Sequence, residues 1–169
     1  MGTHDSQAER NDLGPLLQIC FQGYYQGMIA LIVAFVIVFL IILFNSENPL
    51  LTQIKHRYWG ILEVLRETRD PMWEPLLWPA IITGMHGKID GVIGSNVNKG
   101  YEIYICLDGD DINSAVYVLI HELAHMLVPE YDHTEAFWAN FKKLKDLCIE
   151  RGLYSKEGSR QYCGDTVRD

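Results

Sequence analysis

Residues 28–44, MIALIVAFVIVFLIILF, form an unbroken apolar run of 17. As a helix this run is about 25 Å long, and Gly23–Gly27 can extend it to the ~30 Å of a bilayer core. A domain this small would rarely bury a helix that is apolar all round, so the run reads as a membrane span. Leu13 to Ser46 carries no charge, and Tyr24 and Tyr25 stand at one end, where amphipathic rings favour the interface. A cleaved signal peptide fits less well: the leading arm is long and acidic, the run is too long, and no small-residue cleavage site follows. The expected organisation is a flexible polar arm over 1–22, a transmembrane helix over 23–45, one small domain over 46–155 and a polar, loosely ordered tail over 156–169.

From Asn45 onward there are 13 Lys and Arg against 19 Asp and Glu. A domain this acidic lacks the basic face that non-specific nucleic-acid binding needs, so no nucleic-acid partner is expected. Cys20, Cys106, Cys148 and Cys163 contain no C-x-x-C pair and suggest no disulfide framework, so free or buried thiols are expected.

Pro49 is placed to start a helix, and Leu51, Ile54, Tyr58, Ile61 and Leu65 give Leu50–Arg69 its helical spacing. RDPMWEPLLWPA, residues 69–80, holds three prolines and is irregular. From Ile81 to Leu107 short strands alternate with glycine turns. Another helix, capped by Asn113 or Ser114, ends near Val128 before Pro129. A last helix runs from about Thr134 to Arg151, with Phe137, Phe141, Leu144 and Cys148 as its core stripe and Gly152 as its stop. Asp132 is the expected cap of that helix, with Glu135 as its capping-box partner. The fold class is α+β.

The helix before Pro129 carries His121-Glu122-Leu123-Ala124-His125. Residues four apart share a helix face, so His121 and His125 aim two imidazoles at one point. Zinc takes such nitrogens at about 2.0–2.1 Å, and Glu122 is placed to act as general base toward a metal-activated water. Burying His, Glu and His in so apolar a helix without an ion would leave all three to be satisfied separately. A catalytic zinc needs a third protein ligand. The chain can turn back after Pro129 to bring His133, and Asp132, Glu135 and Glu150 are the alternatives. His56 and His86 read as solvent-facing, and KKLK, residues 142–145, as a solvated face. Tyr131, Tyr154 and Tyr162 are all able to donate to an oxyanion, and the sequence selects none of them.

VLIHELAHMLVPEYDHTEAFWANF, residues 118–141, resembles the core of the WLM and SprT-like zinc metallopeptidases, a branch of the zincins. The likeness rests on His-Glu-Leu-Ala-His, the Asp-His that follows, and Phe-Trp. It implies a zincin-like domain with its active-site helix beside a small sheet. It also implies Zn2+ held by His121, His125 and His133, Glu122 as the base, and a protein or peptide substrate added as a strand beside YEIYICL. The charge and the anchor differ from the soluble, DNA-associated members, so their crosslinked substrates are not carried over. Small anchored domains of this kind are also similar to proteins of large icosahedral DNA viruses with an internal membrane. That likeness implies a virion location and other virion or membrane proteins as partners. The two readings are therefore a membrane-anchored zinc metallopeptidase and a non-catalytic structural or assembly protein, such as a minor capsid component, that keeps the zinc fold.

Orientation has two opposed signals. Arg10 precedes the span while Lys55 and Arg57 follow it, which places the domain in the cytoplasm. MGTHDS fits the N-myristoylation pattern with Gly2 as acceptor, which would hold the amino end in the cytosol and put the domain across the membrane. The absence of a disulfide pattern favours the reducing side, and so the cytoplasm.

Overall fold

The computed structural model describes residues 13–44 and 47–168, with the side chains of 22–43 and 47–168. The chain divides into two units, Met1–Ser46 and Glu47–Asp169. In the first, α1 (Leu13–Phe44) is a single helix, and its window Gln22–Leu43 is long and apolar enough to cross a membrane, with none of it buried in the fold. Helix therefore begins well inside the arm expected over 1–22. Pro15 does not prevent this, because it falls in the first turn, where its missing N–H has no helical partner to lose. Gly2 lies outside the described residues.

The second unit is a mixed α and β domain. Helix α2 (Pro49–Thr68) starts where the Asn48 side chain accepts from Leu50 N at 2.8 Å, with Pro49 in the first turn. Its buried stripe is Leu50, Ile54, Tyr58, Ile61, Leu62 and Leu65. The proline-rich stretch winds into a short 3-10 turn at Pro71–Leu76, and Ala80 N then donates to Tyr58 Oη at 2.6 Å.

Three strands follow, β1 (Ile81–Met85), β2 (Gly94–Val97) and β3 (Glu102–Cys106), in the order β1-β3-β2. β1 lies parallel to β3 and β2 antiparallel to it. YEIYICL is thus the central strand and cannot accept a peptide at its edge, because both sides are already hydrogen-bonded; the edge beside the histidine helix is β2. Ile103 and Ile105 are fully buried beneath α3 (Ile112–Ala124). Asp111, rather than Asn113 or Ser114, caps α3, accepting from Asn113 N and Ser114 N. The cap falls two residues before Asn113 because the Asp111 carboxylate reaches both orphan donors.

The α-helix stops at Ala124, and His125–Leu127 tighten into a 3-10 turn before extended Val128. Helix α4 (Glu135–Glu150) is capped by Thr134, which accepts from Phe137 N at 3.3 Å; Asp132 contributes only its carbonyl, to Thr134 N. Residues 159–168 are ordered rather than a loose tail. They form a hairpin of β4 (Ser159–Tyr162) and β5 (Asp165–Arg168), whose two-residue turn, Cys163-Gly164, has positive φ at both positions. Cys163 is disulfide-bonded to Cys106 at the end of β3, while Cys148 is a buried thiol. The pair is invisible as a spacing because its partners lie 57 residues apart. It also removes the reducing-compartment argument for a cytoplasmic domain.

Candidate metal centre

α3 brings His121 and His125 to one face, and the loop after Pro129 carries His133 to meet them. One ring nitrogen from each of the three lies within 4.8 Å of the other two, and His121 Nε2 and His133 Nε2 are 2.9 Å apart. Two nitrogens at 2.0–2.1 Å from one tetrahedral zinc ion lie about 3.4 Å apart, between the 2.9 Å of the His121–His133 pair and the 4.8 Å outer limit, so small side-chain shifts bring the three onto one ion. Burial, and then the neighbouring imidazoles, lower the His121 pKa to about 3; burial and His133 lower that of His125 to about 4. Both rings are therefore neutral near pH 7, the form that ligates. His125 Nδ1 is buried without a hydrogen-bond partner. An orphan of this kind costs about 1–3 kcal/mol, a cost offset if Nδ1 itself takes a ligand. The residues present fit a metal ion bound by three imidazoles.

Glu122 is buried, and burial pushes its carboxyl up to about 7. It reaches the cluster cavity because β2 closes tightly on α3. A Cβ on Gly94 would stand 2.4 Å from Val118 Cγ1 and 2.7 Å from Glu122 Oε1, so only glycine permits the approach. Asn96 Nδ2 donates to the Glu122 carbonyl at 2.8 Å, and Asn96 Oδ1 accepts from Gly100 N at 2.7 Å, which fixes the β2–β3 turn against the helix.

The alternative third ligands are elsewhere. Glu135 is exposed in the first turn of α4, Asp132 is exposed in the loop, and Glu150 sits at the far end of α4 in a depression with Thr68 and Lys143. Of the three tyrosines, Tyr131 lines the cavity that holds the histidines and Glu122. Tyr162 is buried with its hydroxyl donated to Cys106 O, and Tyr154 is buried.

Aromatic rings hold the imidazoles. Phe137, fully buried, packs against His121, His125 and His133 at centroid distances of 4.9, 4.4 and 4.6 Å, and Trp138 stacks on His133 at 5.5 Å. The Phe-Trp that follows the histidines is thus part of the site. Lys99 is a residue the sequence reading missed. From a left-handed position in the β2–β3 turn, its ammonium donates to the carbonyls of His125, Val128 and Glu130 at 3.1, 3.0 and 2.7 Å and lies 4.1 Å over the Tyr131 ring. Three donors meet three acceptors, and the loop that presents His133 is tied to the sheet. Nothing local in VNKG announces this, because all three acceptors are main-chain atoms about 30 residues away.

The profile of the WLM domain family matches residues 78–167, which includes the sheet, the histidine cluster and most of the C-terminal hairpin. Over 78 residues the chain is 40% identical to a protein of Acanthamoeba polyphaga mimivirus, "Uncharacterized protein R325", an alignment covering 40% of each chain. Over 84 residues it is 36% identical to "Uncharacterized protein 136R" of Invertebrate iridescent virus 6, covering 44% of this chain and 47% of that protein. The chain thus spans less than half the length of each of these relatives. No solved structure matches the chain.

Proposed function

The chain belongs to the WLM domain family, and from that premise we propose that it is a zinc-dependent peptidase carried on a single membrane span. The observation that carries the reading is the convergence of three imidazoles beside a buried carboxylate. Three nitrogen donors are the protein set of a catalytic zinc, which keeps one position open. His121, His125 and His133 would hold the ion. When bound, zinc supplies Lewis acidity that polarises a scissile carbonyl and makes water a usable nucleophile near neutral pH. Glu122 takes the proton of the attacking water and delivers it to the leaving amine, a task suited to a carboxyl whose pKa lies near 7. Tyr131, at the rim of the same cavity, offers a phenol to the oxygen that gains charge. The substrate chain adds along β2, the sheet edge next to Glu122, where its main chain gains hydrogen bonds without regard to sequence.

The 22 residues of Gln22–Leu43 span about 33 Å as a helix, enough to cross a bilayer core, and support the anchor. The Cys106–Cys163 disulfide supports an oxidising compartment for the domain, and Gly2 then faces the cytosol, where acylation occurs. Both relatives are viral, which supports a viral or host membrane as the place of action.

The test is Glu122→Gln in the zinc-loaded full chain. The amide keeps the shape but cannot accept the proton, so zinc content should stay at one per chain while cleavage of unfolded protein substrates falls by about 100-fold or more. Zinc retained with no cleavage by either protein would favour a structural role for the site.

A further inference from the structure

Glu122 and His121 line a second cavity, of about 480 Å³, which shares them and Val92 and Gly94 with the cavity over the histidines. A space of this size lies in the range that holds a small organic group. Tyr117 and Val118 of α3 line it, together with Val92, Ile93 and Trp138. β5, residues 165–168, supplies a further stretch of its wall. A two-stranded hairpin has little stability of its own, so that wall exists only because the hairpin is docked. Its docking contacts include an ion pair of Arg160 with Asp111 at 3.8 Å. Cys163 is bonded to Cys106. Tyr162 is buried, its hydroxyl on Cys106 O, in a space that Gly109 leaves open: a Cβ there would lie 2.5 Å from the ring. Lys88 pairs with Asp165 at 2.8 Å and donates to Gly164 O at 3.3 Å. The Lys88 pair compensates the carboxylate on this wall, and Val167, also buried, adds an apolar surface.

We infer that this cavity receives the substrate side chain next to the bond that is cut, that it selects large apolar side chains, and that the disulfide-tethered hairpin is its selecting wall. The inference rests on the peptidase reading for its register, since the cavity shares Glu122 and His121 with the candidate metal centre. An aromatic or leucine side chain leaves water for apolar walls there, whereas glycine fills nothing and aspartate would be desolvated beside Glu122.

The experiment uses the zinc-loaded full chain in detergent, with Glu122→Gln to prevent turnover. Labelled peptides of one frame carry Gly, Leu, Phe or Asp at a single position, and binding is read by fluorescence anisotropy. Phe and Leu should bind about tenfold or more tighter than Gly or Asp. Thr166→Trp, which adds bulk at an exposed position of β5, should weaken the Phe peptide about tenfold and leave the Gly peptide unchanged. Cys163→Ser, which frees the hairpin, should shrink the Phe-to-Gly ratio severalfold. A ratio that neither variant moves, or no Phe preference at all, overturns the inference. Wild-type protein run in parallel separates the two readings. Cleavage without apolar preference leaves the peptidase standing and removes the subsite. Phe-selective binding lost in Thr166→Trp, with no peptide cut, keeps the subsite and removes the peptidase.

Discussion

Lys99 and the three histidines show how much of this centre depends on single side chains. The Lys99 ammonium holds three carbonyls of the segment that leads to His133. Lys99→Met keeps the stem and removes the donors, so the loop should loosen and zinc affinity, read by competition with a chromophoric chelator, should fall about 10- to 100-fold. An unchanged affinity would mean that the aromatic packing of Phe137 and Trp138 alone places His133. The imidazoles also set a pH dependence. With folded pKa values near 3 and 4, His121 and His125 bind fewer protons than in the unfolded chain, so their contribution is intact above about 6.5 and is lost as pH falls toward 4. Glu122, raised to about 7, acts the other way between about 4.5 and 7, because its folded form holds the proton longer. Two histidines outweigh one glutamate. The metal-free domain should therefore lose denaturation midpoint between pH 6.5 and 4.5, as urea titrations at stepped pH would read; a midpoint that rises on acidification contradicts the buried, neutral rings.

Among the elements, β2 and α3 form the closest pairing that matters for chemistry. Gly94 allows the edge strand to touch the helix at Val118 and Glu122. Gly94→Ala inserts a methyl where two side chains already stand. It should cost about 1–3 kcal/mol of domain stability, read as a lowered denaturant midpoint, and displace Glu122 from the cluster cavity. The same substitution at Gly91, where a Cβ meets nothing within 4 Å, tests only the turn's positive φ. If both variants behave alike, the packing argument for β2 fails. The 3-10 turn at His125–Leu127 belongs to this scale too. It begins at the second histidine itself, directly after the α-helix ends at Ala124, so the chain can redirect toward His133 before Pro129 enforces the break.

At the scale of the whole molecule, the proposed anchor raises the question of which side of a membrane the domain occupies. The proposed reading puts the domain in an oxidising compartment, where a disulfide joining Cys106 to Cys163 persists. Protease added outside sealed microsomes from expressing cells should leave the fragment bearing His121 intact, and non-reducing mass spectrometry should find the 106–163 bridge. Digestion of the domain under those conditions would put it on the cytosolic side.

The sequence by itself determined the features set by local periodicity and by the side-chain chemistry of neighbours. The apolar run specified a helix of membrane length, since every position from 28 to 44 is apolar. The i, i+4 spacing of His121 and His125 specified two imidazoles on one helix face, and Asp-His beyond Pro129 supplied the third ring that the fold brings within 4.8 Å. Phe137, Phe141, Leu144 and Cys148 pointed inward as their spacing required. Only the tertiary structure decided what depends on contacts distant in sequence. It made YEIYICL a central strand and gave the edge to β2, because register and strand order follow from how the sheet packs on α3. It turned the polar tail into a hairpin, since the turn chemistry of Cys163-Gly164 acquires a fixed place only when Cys106 and a space beside Gly109 receive it. It assigned Lys99 to the loop that carries His133, because an ammonium finds carbonyls by proximity in space and leaves no pattern in the chain.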